Sequence, residues 1–95
     1  MEFIIEKNRI YRQDEHGKLL AELLIPGEEG GAKAITHVFV DESLRDQGIA
    51  DQLMRAAIAE LESQGQQAKA VCPYAVKWFA KHPEYNNLLL GDENS

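Results

Sequence analysis

From residue 49 to residue 61 the apolar side chains Ile49, Leu53, Met54, Ala57, Ile58 and Leu61 recur at helical spacing, with polar residues between them. The pattern predicts an amphipathic helix running to about Gln64, with Gly65 just past its end, where left-handed backbone is common. Upstream the period changes. Residues 34–40 alternate, with Ile35, His37 and Phe39 on one face of a strand and Thr36, Val38 and Val40 on the other. Phe3, Ile4 and Ile5, then Ile10 and Tyr11, predict one or two further short strands, and Asp14-Glu15-His16-Gly17 a polar turn. Residues 19–25 form an apolar run dense enough to suggest burial on both faces, and periodicity alone leaves a helix open there. Pro26 ends it, and Gly27-Glu28-Glu29-Gly30-Gly31 reads as a mobile acidic loop. The first 40 residues are most simply an antiparallel meander.

Beyond Gly65, Lys69, Ala70, Val71 and Cys72 predict another short strand, cut by Pro73. Tyr74 opens a short helix that reaches Lys81, with Ala75, Val76, Phe79 and Ala80 as its inner side. His82-Pro83 stops it, because the residue before a proline is biased away from helix. Leu88-Leu89-Leu90 packs back after a turn, and residues 91–95 read as a frayed tail. The order is that of an α/β (α+β) domain over residues 1–90: a meander, then strand–helix–strand–helix with a right-handed crossover at its centre. If the strand before Arg45 lies beside the one ending at Cys72, the helix start and Cys72 share the C-terminal edge of the sheet. Ligands of open α/β sheets bind at that edge.

Composition narrows the classes. Ninety-five residues with 44% apolar content suffice for one core with little spare stability. A net charge of −6 argues against nonspecific nucleic-acid binding. No apolar run has membrane-spanning length, and the first residues lack the basic start of a signal peptide, so a cytoplasmic location is expected. A single cysteine, Cys72, excludes an internal disulfide, and no Cys/His spacing suits a metal.

Candidate chemistry gathers at Arg45-Asp46-Gln47-Gly48-Ile49-Ala50, a turn that leaves a strand and opens a helix. Helix-start N–H groups lack intrahelical acceptors, and the macrodipole adds positive charge, so phosphate oxygens suit the place. The plainer reading is a surface turn in which Gly48 permits a tight bend. The pattern is neither a Walker loop nor a dinucleotide fingerprint, and Asp46 repels a pyrophosphate unless its side chain points to solvent. Cys72 is either a small buried hydrophobe or a thiol near a helix start. His37 is either a half-buried strand histidine or the nearest base for an amine or thiol. Lys77 and Lys81 share a helix face next to Trp78; they are either solvated or screen a ligand phosphate, with Trp78 along its apolar part. Tyr74 is either a packed corner ring or a proton donor to a thiolate. His16 and His82 read as structural.

The 45–50 segment after a strand resembles the Q/R-x-x-G-x-G/A acetyl-coenzyme A motif of the GNAT superfamily of N-acetyltransferases. Residues 37–50, with Cys72-Pro73-Tyr74 and His82-Pro83-Glu84-Tyr85, are similar to the small single-domain YjdJ-like group of predicted acetyltransferases, over about residues 10–90. The resemblance implies a compact GNAT-like acyl-CoA N-acyltransferase fold and acetyl-CoA as cosubstrate. Arg45, Asp46, Gln47, Gly48, Ile49 and Ala50 would hold the pyrophosphate, and Val38, Phe39 and Val40 would lend backbone hydrogen bonds to the pantetheine arm. Cys72 matches a cysteine suspected as catalytic in that group, and His37 a histidine usual on that strand. Val38 stands where threonine is frequent, and Asp46 where glycine is common. Larger relatives carry an extra helical segment after the first strand that helps form the acceptor site; residues 1–40 contain none, so the acceptor groove is open or completed by a second protomer. The implied activity is acetyl transfer to an unidentified amine, a small molecule or a protein lysine, by a monomer or homodimer. A binding or sensor module for acetyl-CoA or CoA with little turnover is the alternative, and a ligand-free structural domain a third.

Overall fold

A computed structural model describes residues 2–27 and 32–89. Three strands open it: β1 (Ile4–Glu6), β2 (Arg9–Gln13) and β3 (Leu19–Leu24), an antiparallel meander as expected. Then come β4 (Ala32–Ile35), β5 (His37–Val40), a 3-10 turn (Glu42–Leu44) and α1 (Ile49–Ser63). Last are β6 (Gln67–Ala70), α2 (Pro73–Lys81) and a second 3-10 turn (Pro83–Leu88). Most of the acidic loop after Pro26, together with Leu90 and the 91–95 tail, lies outside the described residues.

The strand expected over 34–40 is divided between two sheets at Thr36. β5 ends a four-stranded sheet of order β1-β2-β3-β5, whereas β4 pairs in parallel with β6. Hydrogen bonds on either side of the break show why. The Thr36 N–H donates to the Leu24 carbonyl at 3.1 Å, and the Ile35 carbonyl accepts from both Val71 N (3.1 Å) and Cys72 N (2.9 Å). Such two-against-one pairings re-aim a strand. Ile35 is fully buried, but the strict alternation fails after it: Val38 and Val40 pack toward the core and His37 is exposed. The expected sharing of one face by Ile35, His37 and Phe39 is thereby corrected.

α1 forms where the periodicity places it. Its buried stripe is Ile49, Leu53, Met54, Ala57, Ile58 and Leu61, packed in one core with Ile10, Ala21 and Leu23 of the sheet. Only one face of β3 enters that core, with Ala21 and Leu23 buried while Glu22 and Leu24 are half-buried, so the run at 19–25 is not buried on both faces. The last strand ends at Ala70 rather than Cys72, because the paired amides at Val71 and Cys72 close on Ile35 and the chain turns into α2. The inner side of α2 is Ala75, Trp78 and Phe79; Val76 is 50% exposed and Ala80 is also exposed, against expectation. Leu88 does pack back into the core, and Leu89 forms a single bridge to Ala68.

Candidate active site

The chain reverses between β5 and α1 through two left-handed residues, Asp46 (φ 67°) and Gly48 (φ 74°). A Cβ at Gly48 would meet nothing within 4 Å, so glycine serves the backbone angle there and not a close approach. Gly48 caps α1 without a side chain, and the Gln52 N–H donates to the Gly48 carbonyl at 3.1 Å. The amides of Ile49, Ala50 and Asp51 therefore have no helical acceptor, and the helix dipole makes them a favourable place for an anion. The preceding turn is held by Asp41, whose carboxylate accepts from Ser43 N (3.0 Å) and Ser43 Oγ (2.6 Å). Those bonds to Ser43, helped by Lys18, hold the Asp41 carboxyl below its usual value.

An open groove of about 390 Å³ runs along this turn. Val40, Leu44, Ile49 and Ala50 give it apolar lining, Arg45, Asp46, Gly48 and Asp51 come from the turn and the first turn of α1, and Tyr74 comes from α2. β5 borders it as an edge strand. The Asp41 N–H donates to the Leu20 carbonyl at 2.8 Å, so by ladder alternation Phe39 spends its backbone groups on Glu22. Val38 and Val40 are the residues whose N–H and C=O point away from β3; Arg45 Nε reaches the Val40 carbonyl at 3.4 Å. At the Val40 end of β5 the outer strand edge thus meets the helix start.

Tyr74 is the expected residue that the fold brings to this groove from a distance in sequence. Its phenol is held above the usual tyrosine value, first by burial and then by the charge of Asp51, so it carries its proton at neutral pH. Cys72 is not in the groove lining. It caps α2, 8% exposed, within the hydrophobic core. His37 stands on the opposite, outer face of the sheet, its Nε2 3.7 Å from Glu22 Oε1, while Arg9 Nε binds Glu22 Oε2 at 2.6 Å. The structure does not bring His37 and Cys72 into a pair.

Trp78 departs from expectation most. It is 4% exposed, and its indole N–H donates to Asp51 Oδ1 at 2.7 Å, so it does not lie open to a ligand. Lys77 and Lys81 are exposed. Sequence reasoning missed Asp51, Arg55 and Tyr85. Arg55 Nε binds Asp51 Oδ2 at 2.9 Å, and its Nη1 approaches the Tyr85 hydroxyl at 3.4 Å. The Asp51–Arg55 spacing of four was a visible signal, but such a pair usually marks a solvated helix face. His82, read as structural, stacks on Trp78 with ring centroids 3.9 Å apart, and its Nδ1–H donates to the Trp78 carbonyl, 2.7 Å away.

The same fold occurs in solved structures. The chain superposes on a GCN5-like N-acetyltransferase candidate from Staphylococcus aureus, solved by NMR, with a TM-score of 0.78 and 24% identity over 95% of this chain and 88% of that one. It also superposes on an acetyltransferase of the GNAT family from the same species, with a TM-score of 0.59 and 15% identity over 83% of this chain and 49% of that one. The fold is therefore that of GNAT acetyltransferases. The sequence profile of the GCN5-related N-acetyl-transferase family matches residues 9–88, and the chain belongs to that family. No curated protein matches it significantly. Members of the family use acetyl-CoA as cosubstrate. The unspent amides, the free β5 edge and the open groove suit such a molecule.

Proposed function

We propose that the protein moves an acetyl group from acetyl-CoA to an amine. The observation that carries this reading is the convergence, on one groove, of the α1 amides, the free edge of β5 and a protonated Tyr74. In this reading residues 45–50 hold the pyrophosphate, and Val38 and Val40 pair with the pantetheine arm as a strand pairs with an extended peptide. Lys77 and Lys81, exposed on α2, supply distant positive charge. A backbone N–H on the β5 edge polarises the thioester carbonyl. The amine nitrogen forms the C–N bond as the C–S bond breaks, water accepts the amine proton because His37 lies on the far face of the sheet, and Tyr74 gives its proton to the departing thiolate. The acidic chain favours cationic acceptors such as polyamines or lysine side chains.

Calorimetric titration with acetyl-CoA and CoA tests the donor site. Gly48→Glu is expected to abolish binding while circular dichroism stays native, because it strains the left-handed turn that aims the amides and puts a carboxylate beside them. Unchanged binding would remove the basis of the reading. Binding by the wild type without acetylation of any amine or peptide would instead favour a sensor module.

A second reading has Cys72 accept the acetyl group first, favoured by its place at the start of α2 next to the strand break. Tyr74→Phe is expected to lower kcat by about 10- to 100-fold with unchanged coenzyme affinity. Cys72→Ala separates the routes: full activity, with no acetyl-Cys72 in mass spectra of protein incubated with acetyl-CoA, leaves direct transfer.

A further inference from the structure

We propose that Asp51 is a positioning residue for this reaction: through Trp78 its carboxylate fixes the rotation of α2 and so delivers the Tyr74 hydroxyl to the groove. The proposal rests on the reading of Tyr74 as the proton donor. α2 has nine residues, begins with Pro73 and has no side-chain cap at Cys72. A helix that short does not hold itself in water and takes its orientation from what it packs on. Burial of Ala75, Trp78 and Phe79 presses it to the core, but apolar contact is not directional. The Trp78–Asp51 hydrogen bond is directional. A buried indole N–H requires an acceptor, and Asp51 Oδ1 provides one at 2.7 Å.

Tyr74 stands four residues before Trp78, one turn away on the same side of the helix. Fixing the Trp78 ring therefore fixes Tyr74 over the first turn of α1, where it lines the groove with Gly48 and Ala50. The ring has little freedom of its own: His82 stacks on it at 3.9 Å, Tyr85 stacks at 5.5 Å, and Phe79 meets it edge-on at 5.4 Å. Nor does the carboxylate, whose other oxygen accepts from Arg55 Nε at 2.9 Å. Arg55 extends the clamp, with its guanidinium carbon 5.6 Å from the indole centroid and its Nη1 3.4 Å from the Tyr85 hydroxyl. Asp51 thus has two tasks in one residue. Its amide belongs to the anion-binding helix start, and its carboxylate is turned to Trp78 and Arg55. The motif His82-Pro83-Glu84-Tyr85 acquires a role here, as the outer wall of the clamp.

Three variants and two readouts test this. Asp51→Ala and Trp78→Phe each remove the hydrogen bond, and each is expected to lower kcat by roughly 10- to 100-fold, as misplacement of a proton donor does. The KM for acetyl-CoA should stay within about twofold, because the backbone amides remain. Asp51→Asn keeps an acceptor for the indole and should recover most of the loss. It also removes the negative charge facing Tyr74 from α1, while Arg45 and Asp46 of the turn stay in place and Arg55, His82 and Glu84 still surround the clamp. The Tyr74 phenol should then titrate at lower pH, and the basic limb of kcat should move down with it. The second readout needs no activity. In ring-labelled protein the Tyr74 signal, assigned with Tyr74→Phe, should shift in Asp51→Ala and remain near its wild-type position in Asp51→Asn. An Asp51→Ala protein with wild-type kcat and an unmoved Tyr74 signal would overturn the proposal. So would equal losses in Asp51→Ala and Asp51→Asn. If the wild type acetylates nothing, the acetyl-transfer reading falls, and the Tyr74 signal alone still decides whether the clamp positions the ring.

Discussion

At Asp46 the backbone stands at φ 67°, where a Cβ crowds the following carbonyl; aspartate bears this better than most because its short side chain bonds locally. The position is one where glycine fits without strain. Asp46 also lines the groove beside the helix start. Asp46→Gly is expected to tighten acetyl-CoA binding by about fivefold at low salt, on the scale of about 1 kcal/mol for unit charges ~4 Å apart in water. The gain should fade at high salt as screening sets in. Titration at two ionic strengths checks both, and equal affinity of variant and wild type at low salt would show that the carboxylate points away from the ligand. Most of this turn was legible from residue types alone, since a glycine between a strand and a helix has few other uses. Asp51 was not: its partner Trp78 lies 27 residues further along, and no local pattern links them.

Among the elements, α1 was readable nearly to its ends, because six apolar residues at helical spacing leave one way to bury them. α2 was readable as a helix and misread as a face. Its inner side depends on whether an indole N–H can be satisfied inside, and that acceptor comes from α1. The joint between the two helices has a pH signature. The Trp78 hydrogen bond, then Arg55, holds the Asp51 carboxyl below the usual aspartate value. A lowered carboxylate contributes stability above the unfolded value, and that contribution is lost as pH falls through the folded one. Melting temperature should therefore drop below about pH 4. Part of that drop, and a change in Trp78 emission accompanying it, should be missing in Asp51→Asn. An acid limb identical in that variant would mean that other carboxylates, such as the Ser43-bonded Asp41, account for all of it.

For the molecule as a whole, the sequence by itself determined the order of elements, the amphipathic helix, the glycine turn that opens it and the likeness to GNAT proteins. These follow from spacing over a few residues, where side-chain period and backbone preference act locally. Only the tertiary structure decided where the strand at 34–40 divides, because an alternating run pairs equally well with one neighbour or two, and the choice falls to Leu24, Val71 and Cys72 arriving from elsewhere in the chain. That division frees the β5 edge, sends His37 to the outer face and keeps Cys72 in the core. It was likewise tertiary packing that turned Trp78 inward to Asp51 and set Tyr74 on the groove. Local periodicity fixes which face of an element is apolar; which distant group meets a given polar atom depends on the assembled core, and the candidate chemistry of this protein rests on such meetings.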